Sequence, residues 1–392
     1  MSRPEMITCV HDLRQLARRR VPRMFYDYVD AGAYTEATYR ANERDLAHLT
    51  FVQRVGIDIS DRKTNGTILG QPVTMPLALA PTGLTGMQHA DGEVLAARAA
   101  ERFGVPFTLS SMSICSIEDV AQATRSPFWF QLYVMKDRAF IERLVARAHA
   151  AGCTALVMTV DLQVQGQRHK DILNGLSTPP KPTLRNLINL ATKPRWCWGM
   201  ANTKRRTFGN IVGHVAGTDD VSSLAGWVSQ QFDQTLSWKD VLWLRGLWDR
   251  KLVVKGVMTP DDAQAAIDHG ADAVIVSNHG GRQLDGAPSS VSALPAVVER
   301  VGAQAEVHMD GGIRSGQDLL RVRALGAHAA YIGRPFLYGL GAMGEAGVHR
   351  CLEIIHRELD ITMALCGVTD IKDVDPSILA GGRDPFRQST TP

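Results

Sequence analysis

At 392 residues and 45% hydrophobic content, the chain can build one large domain or two ordinary ones, and barrels of alternating strand and helix often exceed about 250 residues as one unit. Forty-three basic residues against 40 acidic leave a net charge of +3, too small to argue for a nucleic acid partner. Six cysteines, at 9, 115, 153, 197, 351 and 366, form neither a CxxC nor a His/Cys metal spacing, which argues against zinc and against a disulfide framework and leaves them as packing residues.

The N-terminus carries Arg3, Arg14, Arg18, Arg19 and Arg20 without an apolar stretch behind them, so no secretory signal is expected. No run approaches the roughly 18 apolar residues of a membrane span. A cytosolic protein, or one attached to a membrane face, is therefore expected. Residues 11–35 predict two short helices, with Leu13, Leu16 and Ala17 on one face of the first and Pro22 opening the second. Tyr28 lies on the second, where helical spacing by itself points to a core aromatic with a wet hydroxyl.

From residue 77 on, short apolar runs alternate with helix-length amphipathic stretches. The runs are 77–80, 106–109, 128–132, 155–160, 252–254, 273–276, 305–309 and 329–332. Between them lie stretches with helix ends: Asp91 to Gly104, Ser116 with Asp119 as a capping box, Asp137 to Gly152, Thr259-Pro260 to Gly270, and Ser315 to Gly326. A closing helix is expected at about 348–366. Eight near-continuous apolar strands, each followed by a helix, predict an α/β fold of the (β/α)₈ TIM-barrel type, a single domain over 1–392 with N-terminal helices and a long insertion after strand 4. A doubly wound sheet is the alternative.

Such barrels collect their chemistry at the C-terminal ends of the strands. Every one of the eight runs ends in hydrogen-bonding residues: Pro81-Thr82-Gly83, Ser110-Ser111, Gln131 and Tyr133, Thr159 and Asp161, Lys255, His279 and Arg282, Asp310 to Arg314, and Gly333-Arg334. The sixth is the densest, Ser277-Asn-His-Gly-Gly-Arg-Gln-Leu-Asp-Gly286. Its glycine pair lets the turn hold His279 and Arg282 over one small volume, and an imidazole beside a permanent guanidinium suits proton abstraction from an anionic substrate. After the seventh run, Asp310-Gly311-Gly312-Ile313-Arg314-Ser315-Gly316 leads into a helix. Backbone N–H groups, a helix N-terminus and a guanidinium together make an anion cradle, joined by Gly333-Arg334 after the eighth run. No GxGxxG follows an early strand, so a mononucleotide has a seat where a dinucleotide has none.

These residues in this order resemble the FMN-dependent L-2-hydroxy-acid oxidising family over about residues 5–370. Within that family the chain is most similar to the bacterial membrane-associated L-lactate dehydrogenases, and next to the mandelate dehydrogenases. The resemblance implies FMN as cofactor and oxidation of a short L-2-hydroxy acid, L-lactate favoured, to the 2-oxo acid. It implies that His279 is the base, that Asp161 supports its protonated form, and that Tyr133 lies by the substrate hydroxyl. Arg168 and Arg282, with Tyr28, would hold the substrate carboxylate. Ser110, Gln131 and Thr159 would bond the flavin edge, Lys255 would bring positive charge to the ring, Ser277 and Asp310 would also bind the cofactor, and Pro81, Thr82 and Gly83 would approach the ring. Gly312, Arg314, Gly333 and Arg334 would take the phosphate. Met112 stands where the family varies with substrate size, and Gly83 leaves room near the flavin. One departure is Leu162-Gln163 after Asp161, where a proline-containing turn is common, so the path to Arg168 is open. The resemblance also implies a homotetramer. Mandelate oxidation and an oxygen-using oxidase are the alternatives within the family; a flavin-free barrel enzyme on a phosphorylated substrate and a non-catalytic binding barrel are the alternatives outside it.

The insertion, 172–250, is far longer than an ordinary connection. From Ile172 to Thr218 it has no acidic residue, while Lys181, Arg185, Lys193, Arg195, Lys204, Arg205 and Arg206 are basic, and tryptophans 196, 198, 227, 238, 243 and 248 lie in it. Leu184, Leu187, Ile188 and Ala191 share one helical face. This composition predicts a peripheral membrane contact; the resemblance to membrane-bound members of the family implies that it lies on the cytoplasmic face of the inner membrane and that the electrons pass to a quinone. A mobile lid or a subunit contact is the alternative. Residues of about 180–215 are expected to be removable with flavin reduction intact.

Overall fold

Strands that are apolar on both faces need cover on both sides, and a ring of helices supplies it. The computed structural model describes residues 6–176, 183–214, 231–382 and 386. A hairpin of β1 (Gly66–Ile68) and β2 (Gln71–Val73) precedes eight parallel strands. These are β3 (Leu77–Leu79), β4 (Thr108–Ser110), β5 (Trp129–Leu132), β6 (Ala155–Thr159), β7 (Lys251–Val257), β8 (Ala273–Val276), β9 (Glu306–Asp310) and β10 (Ala329–Ile332). Their order is β3-β10-β9-β8-β7-β6-β5-β4, and a parallel bridge between Leu79 and Phe107 closes the ring. The fold is the expected (β/α)₈ barrel. Closure excludes the doubly wound alternative, which would leave two open edges.

The barrel interior is filled by large and small side chains that complement one another: Trp129 and Tyr331 against Ala78, Ala155, Ala273 and Ala329, with Val157, Val253 and Ile275 between. Ile68, Leu69 and Val73 of the hairpin belong to the same cluster and plug the end where the strands begin. That plug was not anticipated, because three-residue strands leave almost no periodic signal. The run at 106–109 becomes β4 two residues later than expected, since Pro106 has no N–H to donate to a ladder. In the other direction, β7 outgrows its run and carries a register shift between Lys255 and Val257.

Three N-terminal helices, Val10–Arg20, Arg23–Asp30 and Ala37–His48, stand where two were expected. The third escapes notice because its buried face is largely polar, with Thr38, Tyr39, Asn42 and Leu46. The helix Arg334–Met343 was also unread, for the opposite reason: Arg334 through Ala342 are all buried, so no polar face marks a period. Of the expected helix starts, Ser116, Asp137, Thr259 and Ser315 each accept a backbone N–H of the first turn. Asp91 does not. Its carboxylate accepts from Thr203 and Arg205 of the insertion instead.

In the insertion, the helix Leu184–Ala191 is turned inside out relative to a soluble helix. Leu184, Leu187 and Ile188 are 73, 54 and 61% exposed, whereas Asn186 is its buried residue and donates to the Asn174 carbonyl. Ile172, Leu173 and Trp198 are exposed as well. The tryptophans divide differently from the expectation. Trp196 stacks on Phe25 at 5.3 Å and donates to the Met87 carbonyl, Trp248 is fully buried, and Trp238 and Trp243 pack on the core. Lys181 and Trp227 lie outside the described residues. Among the basic residues, Arg205 is bound to Asp91 and Asp119. Residues 203–214 are part of the barrel body: Ile211 and Asn210 are fully buried, and Asn210 bonds Ile117 N and Ser113 Oγ. Removing 180–215 would therefore open the core, which corrects the deletion expected above.

Candidate active site

The C-terminal ends of the strands converge as the sequence pattern requires. His279, just past β8, has φ 58°, a left-handed conformation that a non-glycine residue adopts only when its surroundings hold it there. Its backbone N–H donates to Ser277 Oγ at 3.1 Å, and Nδ1 lies 2.8 Å from Asp161 Oδ1. Burial opposes charge on Asp161, but His279 and then Lys255 outweigh it and hold the carboxyl below its usual range. The carboxylate therefore stays ionised beside the imidazole. Its Oδ2 is buried without a hydrogen-bond partner among the described residues.

Asp161 can stand there because of Gly256. A Cβ at residue 256 would fall 2.7 Å from the Asp161 side chain, and the φ of 107° at the β7 irregularity is itself closed to other residues. The chain then reaches Arg168 by a path pinned from the β8 turn. Gln283 donates to the carbonyls of Asp161 and Val164 and accepts from Gly166 N, so one amide fixes the segment through Leu162-Gln163.

Arg168 immediately precedes the helix His169–Leu173 and pairs with Asp171 of its first turn at 2.5 Å. Arg282 donates to the carbonyls of Tyr28 and Ala31 and has no carboxylate within 4.0 Å among the described residues. Both guanidinium groups lie over the Tyr28 ring, at 5.6 and 4.8 Å from its centroid. Burial first, and Arg168 next, push the Arg282 guanidinium down to about 10. Two buried cations with one carboxylate between them form a place for an anion. Tyr133 adjoins them: burial, then Asp161 and Tyr28, push its hydroxyl well above the usual range, so it remains a donor. Gly83 and Met112 make a further wall, since a Cβ at residue 83 would lie 3.3 Å from Met112 Cβ and 3.7 Å from the Tyr28 hydroxyl.

A polar row crosses the ends of β4, β5 and β6. Ser110 Oγ donates to Gln131 Oε1 at 2.8 Å, and Gln131 Nε2 donates to Thr159 Oγ1 at 3.0 Å. Beside it, Lys255 Nζ, nearly fully buried, touches Ser277 Oγ and Asp310 Oδ2, both at 2.7 Å, while Asp310 Oδ1 has no hydrogen-bond partner among the described residues. At β3, the Thr82 hydroxyl bonds Thr85, and Pro81 is only partly buried.

The anion cradle is less open than its sequence implies. The N–H groups of Arg314 and Gly316 are taken by Asp318 and Glu358, and Arg314 pairs with Glu43 at 2.8 Å. Gly311 and Gly312 have φ of 97° and 85°, and Gly333 lies opposite the Thr82 methyl. The Arg334 guanidinium is spent on the carbonyls of Val29, Ala31 and Gly280, and stacks over Tyr39 at 4.4 Å. In this structure Arg334 ties the N-terminal segment to the β8 turn.

Several site residues carry no sequence signal. Asn42 and Asn278 exchange two amide hydrogen bonds of 2.9 Å, and Asp285 accepts from Thr35 and Thr38. Glu93, buried, accepts from the N–H groups of Gly86, Ile114 and Cys115 and so joins the loops bearing Gly83 and Met112. All but the Gly86–Glu93 bond span 21 to 250 positions and leave no local pattern to read.

A profile of the FMN-dependent dehydrogenase family matches residues 17–381. The chain belongs to that family and is an FMN-dependent 2-hydroxy-acid dehydrogenase in class. That removes the flavin-free and non-catalytic barrels as alternatives. An L-lactate dehydrogenase of Caulobacter vibrioides is 46% identical over 377 residues, covering 96% of this chain and 98% of the relative. One of Alcaligenes faecalis is 44% identical over 97% of this chain and all of its own length. Among solved structures, the monotopic membrane protein (S)-mandelate dehydrogenase superposes with a TM-score of 0.92 at 37% identity, over 96% of this chain and all of the other.

The residues fit the cofactor that names the family. The row Ser110–Gln131–Thr159 offers donors and acceptors in line, Lys255 is a buried cation next to it, and the orphaned oxygens of Asp161 and Asp310 lie within the same polar floor.

Proposed function

We propose that this protein binds FMN and oxidises L-lactate to pyruvate at a membrane surface, passing the electrons to a quinone. The carrying observation is the His279–Asp161 pair next to the two stacked arginines, Arg168 and Arg282. Removing two electrons from a 2-hydroxy acid needs a base at the carbinol and a fixed carboxylate. With Nδ1 held by Asp161, Nε2 of His279 is the nitrogen left to take a proton, and the Asp161 carboxylate stabilises the imidazolium that results. Arg282 and Arg168 bind and orient the substrate carboxylate, and the hydroxyls of Tyr133 and Tyr28 donate toward its oxygens. FMN, when bound, supplies the two-electron acceptor, with Ser110, Gln131, Thr159 and Lys255 to its ring, Pro81, Thr82 and Gly83 against it, and Gly312, Arg314 and Gly333 to its phosphate. Ser277 and Asp310 fix the Lys255 ammonium. Arg334 supports the phosphate end by holding the turn at Gly280.

His279→Gln is the decisive variant. It is expected to retain yellow FMN and to lose anaerobic bleaching by L-lactate by at least about a hundredfold in rate. A variant that bleaches at the parental rate would overturn the assignment.

Gly83 favours a second reading, an aryl substrate, because its missing methyl leaves room between Met112 and Tyr28. Rates on L-lactate, (S)-mandelate and glycolate, with oxygen and with a quinone analogue, separate these. The outward apolar face of Leu184–Ala191 supports peripheral attachment on the cytoplasmic side of the inner membrane; no described helix is long and apolar enough to cross one. A homotetramer is the assembly proposed, and light scattering in detergent checks it.

A further inference from the structure

Beside the outward apolar face lies a cleft that the oxidation chemistry does not use. It has a volume of about 430 Å³, within the usual range for ligand pockets, and is lined by Arg14, Gln15, Arg18, Arg23, Tyr26, Asp27, Asp30 and Lys170. Four cations face two carboxylates. Arg14 forms a fork with Asp30, Arg23 pairs with Asp27 at 3.2 Å, and Lys170 pairs with Glu36 just outside the cleft. Arg18 is exposed and has no ion pair among the described residues. Gln15 shares a hydrogen bond with His11 and no carboxylate.

The cleft and the apolar face are one surface. Arg23 N donates to Asn189 of the helix Leu184–Ala191 at 2.7 Å, and Asn174 donates to Asp27 at 2.8 Å. Lys170 shares a short helix with Ile172 and Leu173, which are 52 and 80% exposed. A ligand anionic at one end and aliphatic at the other would meet both halves. A free anion would use only the first, and a neutral lipid only the second.

We propose that the cleft between the helices Val10–Arg20, Arg23–Asp30 and His169–Leu173 is a binding site for the phosphodiester headgroup of an anionic phospholipid, whose acyl chains lie along Leu173, Leu184, Leu187 and Ile188. Arg18 and Lys170 supply the charge and Gln15 a neutral donor. This rests on the membrane contact proposed above. None of these residues belongs to the oxidation site, so occupancy and turnover can be measured apart.

The test is co-sedimentation of the full-length holoprotein with vesicles of phosphatidylcholine alone and with added phosphatidylglycerol. Binding is expected to rise with phosphatidylglycerol. Arg18→Gln is expected to weaken the anionic component about fivefold, and Arg18→Gln with Lys170→Gln about thirtyfold, at roughly a factor of five per charge. Arg185→Gln with Arg206→Gln, basic residues outside the cleft, is expected to leave most of that component. If binding to phosphatidylcholine is strong and phosphatidylglycerol adds nothing, the headgroup site fails and the membrane contact stands. If neither vesicle binds, both fail. Equal loss from the two pairs of substitutions would also overturn the cleft, as would inorganic phosphate that protects the fold through Arg18 while phosphatidylglycerol gives no advantage. Circular dichroism and flavin content confirm that each variant is folded.

Discussion

Arg282 is a buried guanidinium whose cation the fold disfavours, since burial and then the neighbouring Arg168 lower its pKa to about 10. A cation with a lowered folded-state pKa costs stability at every pH below that value, and an anion placed next to it relieves the cost. Pyruvate is therefore expected to raise the melting temperature of the holoprotein throughout about pH 6 to 9, as any ligand specific to the folded state does. Arg282→Met should abolish that shift, raise KM for L-lactate at least about thirtyfold, and leave the unliganded melting temperature unchanged or higher. Differential scanning fluorimetry with and without pyruvate, together with steady-state kinetics, checks all three. At Gly83 the expected effect is on selectivity. A methyl there meets Met112 at its Cβ and its carbonyl, atoms that cannot swing aside, so Gly83→Ala should cost (S)-mandelate about tenfold more in kcat/KM than L-lactate. Equal losses would place the aryl pocket elsewhere. His279 and Arg282 were legible because a glycine pair after an apolar strand is a local signal. Gly256 was not: its need is set by Asp161, which lies just past the end of the neighbouring strand β6.

Among the elements, Leu184–Ala191 was legible as amphipathic but not in its orientation, because periodicity marks a face without saying what covers it. The buried Asn186 decides it. Leu187→Glu with Ile188→Glu is expected to release the protein from the membrane fraction in low-salt lysate, with flavin reduction by L-lactate unchanged within about twofold, since exposed substitutions seldom disturb a fold. Persistent sedimentation would exclude this face as the contact. A second element-scale expectation concerns the helices Ile117–Ala123 and Arg138–Ala150, joined by Glu118 and Arg147. The hydrogen bond from Arg147 lowers the Glu118 carboxyl to about 2. A depressed carboxylate contributes stability above its unfolded value of 4.5, and that contribution is lost as pH falls toward 2. Glu118→Gln should thus lower urea stability at pH 7 by less than about 1 kcal/mol, since the carboxylate is nearly half exposed, and the difference should shrink by pH 3.

For the whole molecule, eight apolar runs with polar ends were enough to read the barrel, and the strand ends did converge. The plugging hairpin, the third N-terminal helix and the body-bound part of the insertion were not readable. In each case the stabilising partner lies far along the chain: Leu69 N bonds Glu306, Asn42 pairs with Asn278, and Asn210 bonds Ser113.

The Asn42–Asn278 exchange and the Arg282 and Arg334 bonds to carbonyls 28, 29 and 31 have a bearing on biosynthesis. The N-terminal helices leave the ribosome first, yet the β8 turn they clasp follows some 240 residues later and Arg334 some 300 later, roughly 10–60 s at ordinary elongation rates. Through that interval Tyr26, Val29 and Leu46, all buried in the finished protein, have no permanent cover. Tyr26 and Val29 wait for Tyr338 and Arg334, so the nascent chain carries uncovered apolar surface until the helix Arg334–Met343 emerges, and a stalled or truncated product ending before residue 278 would lack both the base and its clasp.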